Sequence, residues 1–277
     1  MKARKERKEG VIRLVKIESA DIKEREARLI ISDTSPYFVN ALRRAMLREV
    51  PKLAIEDVIF YENSSPLFDE IIAHRLGMIP LPTDLDLLVP REECTCNGEG
   101  CPNCTVRYTL SREEPGMVYS GDLQPEDEKW RVIDPNIPIV ELFEGQKLIL
   151  EAEAILGKGK DHAKWQAVVA PGYKYYPIIE INQDKLDEDG IKKAIEICPK
   201  KILEEKEGKL VVKDVEKCTL CKSCVEVVEE GAIQVRGDET KFIFTYETDG
   251  SLDAKTLIMK AAEILENKFK ELEKLIG

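Results

Sequence analysis

The sequence predicts an α+β protein of several domains, and three observations predict it. Apolar residues alternate with period two through the middle of the chain, capped amphipathic helices stand near both ends, and eight cysteines fall into two separate clusters. At 277 residues the chain exceeds the usual single-domain size, so two or three domains are expected. A hydrophobic content of 43% suffices for folded cores, and 34% charged residues point to a soluble surface. The net charge of −11 argues against a nucleic-acid sleeve, which needs concentrated Lys and Arg to neutralise phosphates. The one basic run, KARKERK at residues 2–8, contains a glutamate and lacks aromatics; it reads as a disordered solvated tail over residues 1–9.

No stretch approaches the apolar length of a membrane span, and the N-terminus lacks the apolar core of a signal peptide, so a cytoplasmic protein is expected. In a reducing compartment, clustered cysteines suggest metal sites before disulfides. The abundance of Glu and Lys hints at a thermophile, where intracellular disulfides are the competing reading for both clusters.

Along the chain, VIRLVKI (11–17) and ARLIIS (27–32) alternate as a hairpin of half-buried strands. Ser35 and Pro36 are a helix N-cap and first residue, Phe38, Leu42, Ala45 and Met46 share one helical face, and Pro51 marks the stop. Arg43, Arg44 and Arg48 lie off that stripe, on a solvated face. AIEDVIFYEN (54–63) is a strand, and Ser65 and Pro66 open a second helix that ends near Gly77. Its His74 is assigned no chemistry, since a lone histidine on a short helix is more often packed or hydrogen-bonded than a ligand. VRYTLS, IPIVEL, KLILEAEA and WQAVVA then alternate between Pro/Gly/Asp turns, the texture of an antiparallel sheet. PGYKYYP (171–177) opens a cysteine-bearing module. After KFIFTYET (241–248), Ser251 caps the strongest helix of the chain, with Asp253 in its first turn. Ile258, Ala261, Leu265, Phe269, Leu272 and Ile276 form a continuous apolar stripe there, to be buried against either its own domain or a partner.

Cys218, Cys221 and Cys224 repeat at the interval of a bacterial ferredoxin run, but the expected fourth position holds Val228. In two-cluster ferredoxins the fourth cysteine of each run ligates the other cluster. IEICPKKIL supplies such a residue, Cys198, followed by Pro199. Counting back, the sister run's first three positions hold Glu188, Ile191 and Ala194, so one site is complete and the other erased. The module resembles a bacterial ferredoxin domain retaining one [4Fe-4S] cluster on Cys198, Cys218, Cys221 and Cys224, which in a purified sample is open to oxidative loss or replacement by disulfides. The second constellation, CTCNGEGCPNC, places Cys94, Cys96, Cys101 and Cys104 around a Gly/Asn turn. Two close pairs can fold four thiolates onto one tetrahedral ion, and a structural zinc with no open catalytic position is the reading.

FVNALRRAMLREVPKLAIEDVIFYENSSPLFDEIIAHRLGMIPLPTD (38–84) resembles the hallmark segment of the alpha-type assembly subunits of cellular RNA polymerase. FIFTYETDGSL (242–252) is similar to the closing dimerisation segment of that family. With the cysteine loop and the ferredoxin-like module, the combination resembles the archaeal D-type branch of the family. The resemblance implies a discontinuous dimerisation domain of sheet plus two helices (1–50 and 236–277). It also implies an inserted mainly antiparallel β domain (51–170, zinc loop 94–104) and a ferredoxin-like domain (171–235). It further implies pairing with subunit L, recruitment of small subunits N and P, and docking of the large catalytic subunits. Phe38, Leu42, Ala45 and Met46, with Ile258, Leu265, Phe269 and Leu272, would form the interface. The chain itself shows no cluster of carboxylates for metal-assisted nucleotidyl transfer, so catalysis would reside on other chains and no direct DNA contact is expected. The competing classes are a ferredoxin-domain redox protein, which lacks any flavin or nucleotide fingerprint, and a zinc-ribbon nucleic-acid binder, which the charge opposes.

Overall fold

The computed structural model describes residues 15–276; the basic tail lies outside them. In chain order the first elements are β1 (Lys16–Ile22), β2 (Glu26–Ser32), α1 (Pro36–Arg48), β3 (Pro51–Asn63) and α2 (Asp69–Gly77). The middle comprises β4 (Thr105–Arg112), β5 (Gly116–Tyr119), β6 (Gln124–Pro125), β7 (Pro138–Leu142) and β8 (Leu148–Lys158). There follow β9 (Val168–Ile181), α3 (Glu188–Ile197), β10 (Leu203–Lys206), β11 (Lys209–Val212), α4 (Ser223–Glu226), β12 (Ile233–Thr248) and α5 (Ala254–Ile276). The fold is mixed α+β with antiparallel pairings.

The chain divides into two compact units. The first gathers residues up to Ala20 with Arg28–Val39 and Tyr173–Phe244. Its sheet has the order β1-β2-β12-β9, beside the β10–β11 hairpin. A core of Ile191, Ala194, Ile202, Leu203, Leu210 and Ile233 lies under α3. The first strand begins later than VIRLVKI suggests, residues 11–14 being outside the described range. It is exposed along its whole length rather than half-buried, as an outermost strand can be. PGYKYYP runs inside β9, whose place at the sheet edge tolerates Pro171 and Pro177 because an edge strand can spare ladder donors. The strands run through the expected boundaries at 170/171 and 235/236, and the compact units part at Gly172/Tyr173, inside PGYKYYP, and at Phe244/Thr245.

The second unit gathers Asp21–Ala27, Asn40–Gly172 and Thr245–Gly277. Its sheet has the order β3-β8-β4-β6 and is accompanied by the β5–β7 pair. Alternation places Leu110, Leu148, Leu150, Ala152 and Ala154 inward with Ile72 and Leu76 of α2, forming the larger core. Tyr108, buried there, donates its hydroxyl to Trp130 O at 2.7 Å, which satisfies the one polar group that its burial would strand.

Helix starts show how local chemistry overrides the simplest pattern. Ser35 caps α1 as expected, accepting from the Phe38 amide at 3.5 Å. Ser65 does not cap α2: its hydroxyl is engaged with Asn63 Oδ1 and the Leu67 amide, and the helix begins only at Asp69. Ser251 does not cap α5 either. It is buried and bonded to Asp249, whereas Asp253 Oδ1 accepts from the Thr256 amide at 2.9 Å and opens the helix.

Candidate metal centres and interface

The CTCNGEGCPNC loop follows a short 3-10 turn, Arg91–Glu93. Two tight turns fold it back, Asn97 N onto Cys94 O at 3.1 Å and Cys104 N onto Cys101 O at 3.0 Å. Gly98 and Gly100 supply the left-handed backbone (φ 85° and 89°) that lets the loop reverse between the pairs. The result brings Cys94 Sγ to 3.5 Å from Cys101 Sγ, and Cys96 Sγ to 3.6 Å from Cys104 Sγ. All four sulfurs lie within 4.8 Å of one another. Four thiolates around an ion at metal–sulfur distances of about 2.3 Å would stand roughly 3.8 Å apart, so the donor set fits a single tetrahedral ion.

The electrostatics point the same way. The backbone amides of Cys101 and Gly100 push the Cys96 thiol down to about 5. The Cys96 amide also favours the Cys94 thiolate, but crowding by the Cys96, Cys101 and Cys104 sulfurs, with burial, drives Cys94 up to about 12. Four thiolates at this spacing need a cation among them. These cysteines could hold a metal, and soft thiolates narrow the choice to ions such as zinc or to iron–sulfur centres.

The second set is built differently. Cys198 ends α3, Cys218 follows the turn Val215–Lys217, and Cys224 lies in α4. With Cys221 they line one cavity of the first unit, walled by Ile179, Ile202, Leu203 and Val235. Leu220 and Lys222, on either side of Cys221, hold positive φ (58° and 63°), a conformation costly for such residues that persists only where the surrounding structure imposes it. The Leu220 amide donates to Cys218 Sγ at 3.4 Å. Burial, then the Cys198, Cys218 and Cys221 thiols, raise Cys224 to about 11. The donor chemistry and apolar walls suit a soft, multi-metal group. Among the described residues, only the 94–104 loop packs three or more ligand atoms within 4.8 Å; this second set is more widely spread. Ile191 and Ala194, at the erased ligand positions, are buried in α3.

The eight expected interface residues separate sharply. Leu42, Ala45 and Met46 are 5%, 3% and 1% exposed, so the chain's own core leaves them no surface for a partner, and of the four expected α1 residues Phe38 alone stays open. On α5, Ala254, Leu257 and Ala261 are buried and Ile258 and Leu265 half-buried. From Glu266 onward every described residue is exposed, including Phe269, Leu272, Leu275 and Ile276. Leu275 is a ridge residue that stripe counting missed; it stands three residues beyond Leu272 on the same helix.

No helix among the described residues is long and apolar enough to cross a membrane. A sequence profile of the RNA polymerase Rpb3/RpoA insert domain matches residues 55–173. The chain is 45% identical over 261 residues to the DNA-directed RNA polymerase subunit Rpo3 of Methanosarcina acetivorans, covering 93% of this chain and 97% of that protein. It is 46% identical over 261 residues to its namesake in Methanosarcina mazei, with the same coverage. The Rpo3 subunit of Archaeoglobus fulgidus is 43% identical over 260 residues, covering 94% and 97%. These relatives carry the name Rpo3, which replaces the D-type assignment suggested by the motifs; pairing with subunit L, which rested on that assignment, is not carried forward. The relatives are polymerase subunits, and nothing in them supports the redox-protein alternative.

Proposed function

From the chain's membership of the Rpo3 subunits of archaeal DNA-directed RNA polymerase, we propose that it serves as the platform on which the enzyme is assembled, using the C-terminal half of α5 to seat a smaller alpha-type subunit. It is a non-catalytic subunit within that complex. The exposed ridge of Phe269, Leu272, Leu275 and Ile276 carries the reading. A helix whose last three turns are exposed, yet apolar along one stripe, presents a surface of the kind that marks a contact with another molecule. Interfaces of permanent complexes resemble a split core in this way. Small subunits N and P and the large catalytic subunits are the further partners in this reading.

The metal centres fit the same role. Cys94, Cys96, Cys101 and Cys104 would hold a structural zinc that cross-links a loop too short to fold by apolar burial. Cys198, Cys218, Cys221 and Cys224 would hold one [4Fe-4S] cluster that clips α3 and α4 together around the smaller core. Neither group has a chemical step to perform; each supplies a cross-link.

Co-expression with the smaller alpha-type subunit of the same polymerase tests the platform. A stable 1:1 pair that Phe269→Asp with Leu272→Asp dissolves is the expected result. A chain that stays monomeric and well behaved beside that subunit would refute it.

A further inference from the structure

Arg91 makes contacts that the cysteine spacing does not foreshadow. Its Nε donates to Gly98 O, at the tip of the four-cysteine loop, at 3.1 Å. Its Nη2 reaches Glu153 Oε2 at 3.3 Å, and Nη1 stands 3.8 Å from Asp57 Oδ2. Asp57 and Glu153 are directly paired across β3 and β8, and Glu153 is held in turn by Arg107 Nε at 3.1 Å from the neighbouring β4. A side chain at position 100 would meet this guanidinium: a Cβ on Gly100 would lie 2.7 Å from Nη2. The arginine is therefore packed against the loop's reversal and fastened to the sheet's outer carboxylates at once.

We propose that Arg91 is a positioning residue for the metal on Cys94, Cys96, Cys101 and Cys104, an inference that rests on the structural-zinc reading. One guanidinium fork fixes the Gly98–Gly100 reversal over the sheet, so the loop keeps its two cysteine pairs facing each other before the ion arrives. The reversal so held lies between Cys96 and Cys101, one from each pair, so its position sets how the pairs face each other. The fixed positive charge also offsets the net double negative charge of a divalent ion with four thiolates. Residues that orient metal ligands without touching the metal typically contribute ten- to a hundredfold in affinity.

Zinc affinity of the full-length chain, measured by competition with a chromophoric chelator, tests this. Arg91→Ala is expected to weaken zinc by about ten- to a hundredfold and to alter the ligand-field bands of the cobalt-substituted protein, while melting of the metal-free chain is unchanged. Arg91→Lys is expected to rescue little, because an ammonium cannot reach a carbonyl and a carboxylate with a fixed fork. Glu153→Gln, which loosens one prong and leaves the Gly98 bond, should weaken zinc in the same direction by less. Unchanged affinity in Arg91→Ala, or full rescue by lysine, would overturn the role of Arg91 while leaving the zinc reading intact. An unaltered chain that takes up no zinc overturns both.

Discussion

Lys52 and Asp249 form an ion pair inside the second unit, with their side chains only 5% and 18% exposed. Lys52 is the second residue of β3, and Asp249 lies in the turn that leads from β12 into α5. The same carboxylate accepts from Ser251 N at 3.0 Å, and Ser251 O accepts from Thr83 N at 2.9 Å. Thr83 Oγ1 in turn accepts from Leu53 N, next to Lys52, at 3.0 Å. A closed polar circuit thus fastens the root of α5 to the insert sheet. Removing one partner of a buried pair strands the other charge, so Lys52→Ala is expected to cost about 3–5 kcal/mol. Urea unfolding of the single and paired substitutions measures it, and a loss no larger than that of an exposed pair would show that water reaches the site.

The two apolar stripes make opposite predictions. Leu42→Ala or Met46→Ala opens a hole in the chain's own core and is expected to cost about 2–5 kcal/mol of stability. Phe269→Asp and Leu272→Asp, at side chains 61% and 50% exposed, should leave melting of the isolated chain nearly unchanged and abolish pairing. If the α1 substitutions prove silent in stability and harmful to assembly, the partner sits on α1 instead.

That contrast marks what the sequence could and could not reveal. Spacing alone placed Phe38, Leu42, Ala45 and Met46 on one face and Phe269 and Leu272 on another, because side-chain direction follows the helical repeat. It could not say which face the chain covers itself, since burial within and between chains selects the same residues. The gathering of Cys94, Cys96, Cys101 and Cys104 was legible because the four are local in sequence. That Cys198 shares a cavity with Cys218, Cys221 and Cys224 could be expected only through likeness to a two-cluster run, Cys198 lying far from Cys218 in sequence. Arg91, the Lys52–Asp249 pair and the true cap of α5 were hidden, because each depends on partners brought near by β3, β8 or the turn at 249–251. PGYKYYP marks the change of compact unit, at Gly172/Tyr173, while the strand itself runs on, since the edge position of β9 lets it carry Pro171 and Pro177.

The ligand assignment for the second set has a sharp signature. Anaerobic reconstitution should give stoichiometric iron and sulfide, lost on Cys198→Ser as completely as on Cys218→Ser despite the distance between them in sequence. Cys94→Ser should leave iron untouched and remove zinc. Iron retained in full by Cys198→Ser would exclude it as a ligand.

Gly157 is occupied from above by Trp165, whose Cε2 lies 2.2 Å from where a Cβ at 157 would stand. The indole also donates to Ile155 O at 3.3 Å, so it cannot retreat without losing that bond. Gly157→Ala is expected to displace the ring and cost about 1–3 kcal/mol by overpacking. A red-shifted tryptophan emission, together with a lower urea midpoint, would report it; an unmoved spectrum would mean that the strand yields instead.

The middle of α5 is held by a bond that acid should release. Lys268 Nζ lies 2.9 Å from Glu49 Oε1, and this hydrogen bond, opposed by partial burial, holds the Glu49 carboxyl below the usual glutamate range. The unfolded chain therefore binds the proton more readily than the folded one, so the contribution is complete above the unfolded value of about 4.3. It is lost as pH falls through the lowered folded value. Hydrogen exchange of the α5 amides should accelerate over that acid window in the unaltered chain. In Glu49→Gln the acid-dependent part should vanish, with exchange already faster at neutral pH. Because α5 carries the ridge of Phe269 and Leu272, affinity for the smaller subunit should fall over the same window. An identical acid response in Glu49→Gln would mean that another carboxylate anchors the helix.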